Sequence, residues 1–133
     1  MVVVDASVIA PALSVDEHVL GDRLRARLER ERLVAPALID LEVASAWRGQ
    51  VRAGRTSPRR VEVALADLAG MPLKRAPHGP LMPRIWALRD NLSTYDAAYV
   101  ALAETLDTLL LTGDARLARA PGIHCEVEVL TVE

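Results

Sequence analysis

The sequence predicts a three-layer α/β/α domain built on a short, mainly parallel central sheet. Short runs of β-branched and aliphatic residues, VVV near the start and LLL before Thr112, have the length and make-up of buried strands. Between such runs lie longer stretches with apolar residues every three or four positions, the pattern of amphipathic helices. Strand and helix alternate along the chain, which favours parallel pairing with helices on both faces.

Taken in order, VVV is the first strand and residues 6–13 a short helix that contains Pro11. Residues 16–31 read as a helix, because Leu20, Leu24 and Leu28 recur every four positions among Arg and Glu. Residues 33–35 are a second strand, and Pro36 opens the next helix at a favoured early position, running to about Ala53. Gly54 ends it. Ser57 then caps a helix whose first residue is Pro58 and which stops at Gly70. Leu73 marks a third strand, and 78–91 becomes helical from about Pro83. Ser93 and Thr94 open a strongly helical segment to about Leu106. Residues 108–111 form a fourth strand, 114–119 a short helix and 127–130 a last strand.

The 133 residues make a single domain, residues 1–133, without repeats or a linker. Hydrophobic residues are 51% of the chain but aromatics only 3%, so Ala, Val and Leu must fill the core. The lone Cys125 excludes an intrachain disulfide and a cysteine-based zinc site. Its ordinary reading is a small buried or half-buried apolar residue. The opening residues lack the basic region of a signal peptide, and no run approaches the ~18 apolar residues of a membrane span. The expectation is a soluble cytoplasmic protein with no membrane partner. A net charge of −2 announces no polyanion, although arginines concentrate between Arg23 and Arg32 and between Arg48 and Arg60. Such runs are ordinarily solvated helix faces; their functional reading is guanidinium forks for phosphate.

In open parallel sheets, ligands gather beyond the carboxyl ends of the strands. Asp5 and Asp114 both follow strands, and each also suits the cap of the helix that comes next. Asp96 lies in the first turn of the helix opened by Ser93, where it completes a variant capping box. Glu42 is harder to explain structurally. Its neighbours at three and four residues, Leu38, Ile39, Ser45 and Ala46, form an apolar or small face with no Lys or Arg. A carboxylate turned inward there needs a partner. If Asp5, Glu42, Asp96 and Asp114 converge, their repulsion calls for a hard divalent cation, and all-oxygen ligands suit Mg²⁺ or Mn²⁺. Such a cation polarises a phosphoryl oxygen and activates water for in-line attack. Asp40, two residues from Glu42, points elsewhere; Asp16, Asp22 and Asp107 belong to a charged helix face and a turn. His18, His78 and His124 share no motif and read as surface residues. No G-x-S-x-G elbow, P-loop or G-x-G-x-x-G is present.

The segments VVVDAS, PALIDLEVASAW, LSTYDAAYVALAE and LLLTGDARLA, in this order and spacing, closely resemble the PIN-domain ribonucleases. More narrowly they resemble the VapC toxins of VapBC toxin–antitoxin pairs, over nearly the whole chain. The resemblance implies a PIN-like fold and a Mg²⁺- or Mn²⁺-dependent endoribonuclease with Asp5, Glu42, Asp96 and Asp114 as the catalytic, metal-binding set. It also implies that Ser7 and Thr112 orient ligands or water, that Asp114 varies most in role, and that the protein is a homodimer. A cognate VapB-type antitoxin would hold it inactive, with its C-terminal segment in or beside the site, and RNA would be the substrate. The prolines of PLMPRIWALRDN depart from the pattern at the start of that helix. A non-catalytic PIN-like module that binds RNA or protein is the alternative. A phospho-accepting receiver domain fits less well, since Asp5 has no acidic neighbour and Lys74, the only lysine, is in mid-chain.

Overall fold

The structure, a computed structural model, describes residues 1–14 and 18–130. Asp16, expected on the second helix, and the side chain of His18 lie outside the described residues. The strands are β1 (Val2–Val4), β2 (Leu33–Pro36), β3 (Leu73–Ala76), β4 (Leu110–Thr112) and β5 (Val127–Val129), and every pairing among them is parallel. Their spatial order is β3-β2-β1-β4-β5, so β1 is central. The helices are α1 (Ala6–Leu13), α2 (His18–Leu28), α3 (Ile39–Arg52), α4 (Pro58–Gly70), α5 (Met82–Ala87), α6 (Thr94–Thr105) and α7 (Ala115–Ala118). This is the expected three-layer α/β/α architecture.

The core follows from the apolar runs. Val3, Val4, Leu110 and Leu111 on neighbouring strands are fully buried, together with Ile9 of α1, Ile39 and Val43 of α3, and Tyr99 and Val100 of α6. Every residue of α6 from Ala97 to Ala103 is buried, and its alanines let a helix lie close to the sheet. Leu24 and Leu28 of the leucine stripe are buried too, so that stripe is core rather than an interface. Trp47 crosses from α3 to α1, where its indole N–H donates to the Ala10 carbonyl at 3.2 Å.

Some boundaries differ from expectation. Pro36 does not open a helix; it is the last, buried residue of β2, opposite Ala76. At a strand end its missing N–H breaks no ladder bond, and the ladder's next bond is made by the Ala37 N–H to the Ala76 carbonyl at 2.8 Å. The helix therefore begins three residues later, at Ile39. Strand β4 sits at 110–112 rather than 108–111, which buries Thr112 completely. The segment after β3 makes a 3-10 turn, Gly79–Leu81, before α5, and the prolines shorten α5 to six residues. His78 is half-buried, and its Nε2 accepts the Leu38 N–H at 3.0 Å.

Candidate active site

From β1 the chain moves outward through β2 to β3; it then returns to β4 on the other side of β1 and continues to β5. The reversal between β1 and β4 opens a crevice at their carboxyl ends, the usual place for a ligand in this topology. Asp5 follows β1 directly, while Thr112 ends β4 and Asp114 lies two residues beyond it.

Asp5 is 7% exposed and caps α1, its Oδ1 accepting the Ser7 N–H at 3.1 Å. Two hydroxyls complete its surroundings. Ser7 Oγ donates to Oδ1 and Thr112 Oγ1 to Oδ2, both at 2.5 Å. Each hydroxyl is itself oriented by a backbone donor: the Gly113 N–H reaches Ser7 Oγ at 2.7 Å, and the Asp114 N–H reaches Thr112 Oγ1 at 3.0 Å. With its acceptor side occupied, each hydroxyl has one proton to give, and it points at Asp5. Gly113 permits this approach, because a Cβ there would lie 3.2 Å from Ser7 Oγ. Burial nevertheless pushes the Asp5 carboxyl from its ordinary 3.8 up to about 6, against the lowering effect of these donors and with help from the charge of Asp96.

Glu42 is half-buried rather than fully turned inward: of the face expected to pack against the core only Ile39 is buried, while Ser45 and Ala46 are exposed. Its carboxylate does have the partner it needs, one that the sequence reading missed. The Tyr99 hydroxyl donates to Glu42 Oε1 at 2.6 Å. Tyr99 comes three residues after Asp96 on α6, so the two share a face, and that spacing was the available signal. Burial raises the pKa of Glu42; the Tyr99 hydroxyl opposes this and the Asp96 charge adds to it. Burial and the neighbouring Glu42 raise that of Tyr99, which stays a donor at neutral pH. Asp96 itself shows half of a capping box: Ser93 Oγ accepts its N–H at 3.1 Å. Its carboxylate makes no hydrogen bond among the described residues, and its charge is felt at both Asp5 and Glu42.

Asp114 stands apart. It caps α7, accepting the Arg116 N–H at 2.9 Å, and its carboxylate is faced by the Arg116 guanidinium, which holds its pKa below the usual range. The structure thus brings Asp5, Glu42 and Asp96 into one electrostatic neighbourhood, surrounds Asp5 with Ser7 and Thr112, and leaves Asp114 at the rim. Asp40 points away as expected, paired with Arg75. A groove of about 710 Å³ runs from Ser7 and Glu42 past Leu20 and Trp47 to Gln50 and Arg55. A second cavity, about 690 Å³ around Glu104, Asp107, His124 and Cys125, opens at the other end of the sheet.

Among the described residues no three Asp, Glu, His or Cys side chains form a ready cage for a metal ion. The donor chemistry still suits a hard divalent cation. The donors are carboxylate and hydroxyl oxygens, and two of the acids have raised pKa values that a positive charge would relieve. Mg²⁺ ordinarily takes only one or two protein carboxylates and completes its shell with water and substrate phosphate.

Comparison with known proteins is consistent across sequence and structure. The family model of the PIN domain matches residues 2–123. Ribonuclease VapC1 of Mycobacterium tuberculosis is 42% identical over 129 residues, covering 96% of both chains. Among solved structures, PAE2754 from Pyrobaculum aerophilum aligns with a TM-score of 0.66 at 23% identity, covering 93% of this chain and 89% of that one. VapBC2 from Rickettsia felis, solved bound to a DNA fragment from its promoter, aligns with a TM-score of 0.63 at 12% identity, covering 96% and 98%.

Proposed function

The chain belongs to the PIN-domain family, among its VapC-type ribonucleases, and from that footing we propose that it is an endoribonuclease, the toxin of a type II toxin–antitoxin pair. The observation that carries the reading is that buried Asp5 and half-buried Glu42, both with carboxyl pKa values raised chiefly by burial, also lie in the field of Asp96, whose carboxylate has no hydrogen-bond partner among the described residues. Groups so perturbed, side by side in a crevice, are the mark of a functional site.

In this reading Asp5, Glu42 and Asp96 would hold Mg²⁺ or Mn²⁺, with Asp114 contributing from the rim. When bound, such a cation polarises a phosphoryl oxygen and lowers the pKa of a water. The chain's own residues do the positioning. Ser7 and Thr112 fix both oxygens of Asp5, Tyr99 fixes Glu42, and the Asp96 carboxylate, without a hydrogen bond among the described residues, is available to a cation. Water attacks phosphorus in line, and the 3′ oxygen leaves. The exposed Arg48, Arg52, Arg55 and Arg59 steer the RNA strand. A cognate VapB-type antitoxin silences the enzyme by laying a segment along the groove that starts at Ser7 and Glu42. The active unit is a homodimer.

The test is cleavage of RNA by the purified protein with Mg²⁺, with Mn²⁺ and with a chelator. Cleavage should require the divalent ion. Asp96→Asn should reduce it by about a thousandfold or more while circular dichroism stays unchanged, the scale expected when charge stabilisation at the reacting centre is removed. Cleavage by Asp96→Asn at the unaltered rate would sink the assignment.

A further inference from the structure

Among the described residues four arginines face a carboxylate through two guanidinium nitrogens, and one of them differs from the rest. Arg27 on Glu128, Arg75 on Asp40 and Arg84 on Glu104 have side chains 19%, 23% and 32% exposed. At least one bond of each pair is 3.0 Å or shorter. Arg116 is 86% exposed, and both of its bonds to Asp114, from Nε and from Nη2, are 3.3 Å. Charge-assisted forks ordinarily settle at about 2.7–2.9 Å, so this is the loosest pair of the four. It is also the one at the acidic site. The three tight pairs tie distant elements together, whereas Arg116 reaches back only two residues and, among the described residues, joins Asp114 to no other element. Asp96 adds to the proton affinity of Arg116, which places the guanidinium within the field of that carboxylate as well.

A loosely held, exposed guanidinium beside a site of uncompensated acids has an evident use if the substrate is a polyanion. Resting on the ribonuclease reading above, we propose that Arg116 grips a phosphate of the bound RNA strand and, in turning to it, frees Asp114 for the cation. The planar fork that faces two carboxylate oxygens matches two phosphate oxygens equally well. With no other element anchored through it, Arg116 can exchange one anion for the other at little structural cost.

The exchange is tested by two measurements. The first is Mn²⁺ binding to the RNA-free protein by titration calorimetry. Arg116→Ala removes the competing cation from Asp114, and Mn²⁺ should bind about two- to fivefold tighter, as expected for loss of a nearby like charge. The second is fluorescence anisotropy of a random-sequence 14-mer RNA pool, comparing Asp96→Asn with Asp96→Asn/Arg116→Ala in Mg²⁺. The double variant should bind about three- to tenfold more weakly at 0.1 M salt, with the salt slope reduced by about one. Arg116→Lys should recover the slope but less of the affinity, since an ammonium makes no fork. RNA affinity and salt slope unchanged by Arg116→Ala, or weaker Mn²⁺ binding, would overturn the role of Arg116 while leaving the nuclease intact. Absence of cleavage by the unsubstituted protein would overturn the ribonuclease reading itself.

Discussion

At the residue scale the Tyr99–Glu42 bond is the most informative contact in the site. The Tyr99 hydroxyl stabilises the ionised form of Glu42 against burial and against Asp96. Tyr99→Phe removes that donor, so the Glu42 pKa should rise further. The acid limb of the pH–rate profile should therefore move to higher pH, and cleavage at pH 7 should fall by roughly tenfold, as when one preorganised hydrogen bond is lost from a site. Stability should fall by about 1.5–3 kcal/mol, the usual worth of a hydrogen bond to a charged group. A pH–rate profile for the variant that overlays the original would separate Tyr99 from the chemistry. The acids themselves were legible in the sequence because each sits where a carboxylate is conspicuous: after a strand, in a helix's first turn or on an apolar helix face. The groups that orient them were less so. Ser7 and Thr112 were identified, but the Gly113 N–H that turns Ser7 toward Asp5 acts across 106 residues of sequence, and no local pattern encodes that.

At the element scale, α3 delivers Glu42, yet it starts without a side-chain cap of its own. Its N-cap is Leu38, and the Leu38 N–H is taken instead by His78 from the segment after β3. His78→Ala leaves that half-buried N–H without its acceptor and should cost about 1 kcal/mol. Because the loss lies one turn from Glu42, cleavage should fall with it. Ser57→Ala provides the contrast. Ser57 Oγ accepts the Arg60 N–H and caps α4, a helix that carries none of the four acids, so it too should cost about 1 kcal/mol, with the turnover of bound RNA less affected than in His78→Ala. Urea midpoints and initial rates for the two variants test whether capping of α3 matters to the site or only to the fold. Helix existence was readable from periodicity, and the Ser57-Pro58 and Ser93 starts from capping chemistry. The start of α3 was misread because Pro36 suits a helix's first turn and a strand's last residue equally well. Only the pairing partner, Ala76, decides between them, and it lies 40 positions away.

At the scale of the whole molecule, the alternation of strands and helices makes a parallel sheet legible, but not the order of its strands. That order puts β4 beside β1 and so joins Asp5 to Thr112. The consequence is a fold that carries an electrostatic debt at its centre. The carboxyl of Asp5 has a folded pKa of about 6 against an ordinary 3.8, so the native state binds this proton more tightly than the unfolded chain does. Its contribution to stability is complete below about pH 4 and is lost as the pH rises through 6. The loss is about 2–3 kcal/mol, at 1.36 kcal/mol per pK unit. The raised pKa of Glu42 acts in the same direction. The metal-free protein should therefore melt at a higher temperature at pH 5.5 than at pH 7.5. Mg²⁺ or Mn²⁺ should raise the melting point at pH 7.5 by mass action on the native state, and less at pH 5.5, where protons compete for the same oxygens. Asp5→Asn should flatten the pH dependence and remove most of the gain from the cation. Scanning calorimetry of the two proteins at both pH values, with and without Mn²⁺, decides the matter. If the melting point of the unsubstituted protein responds to Mn²⁺ equally at both pH values, the buried acid and the cation are not linked.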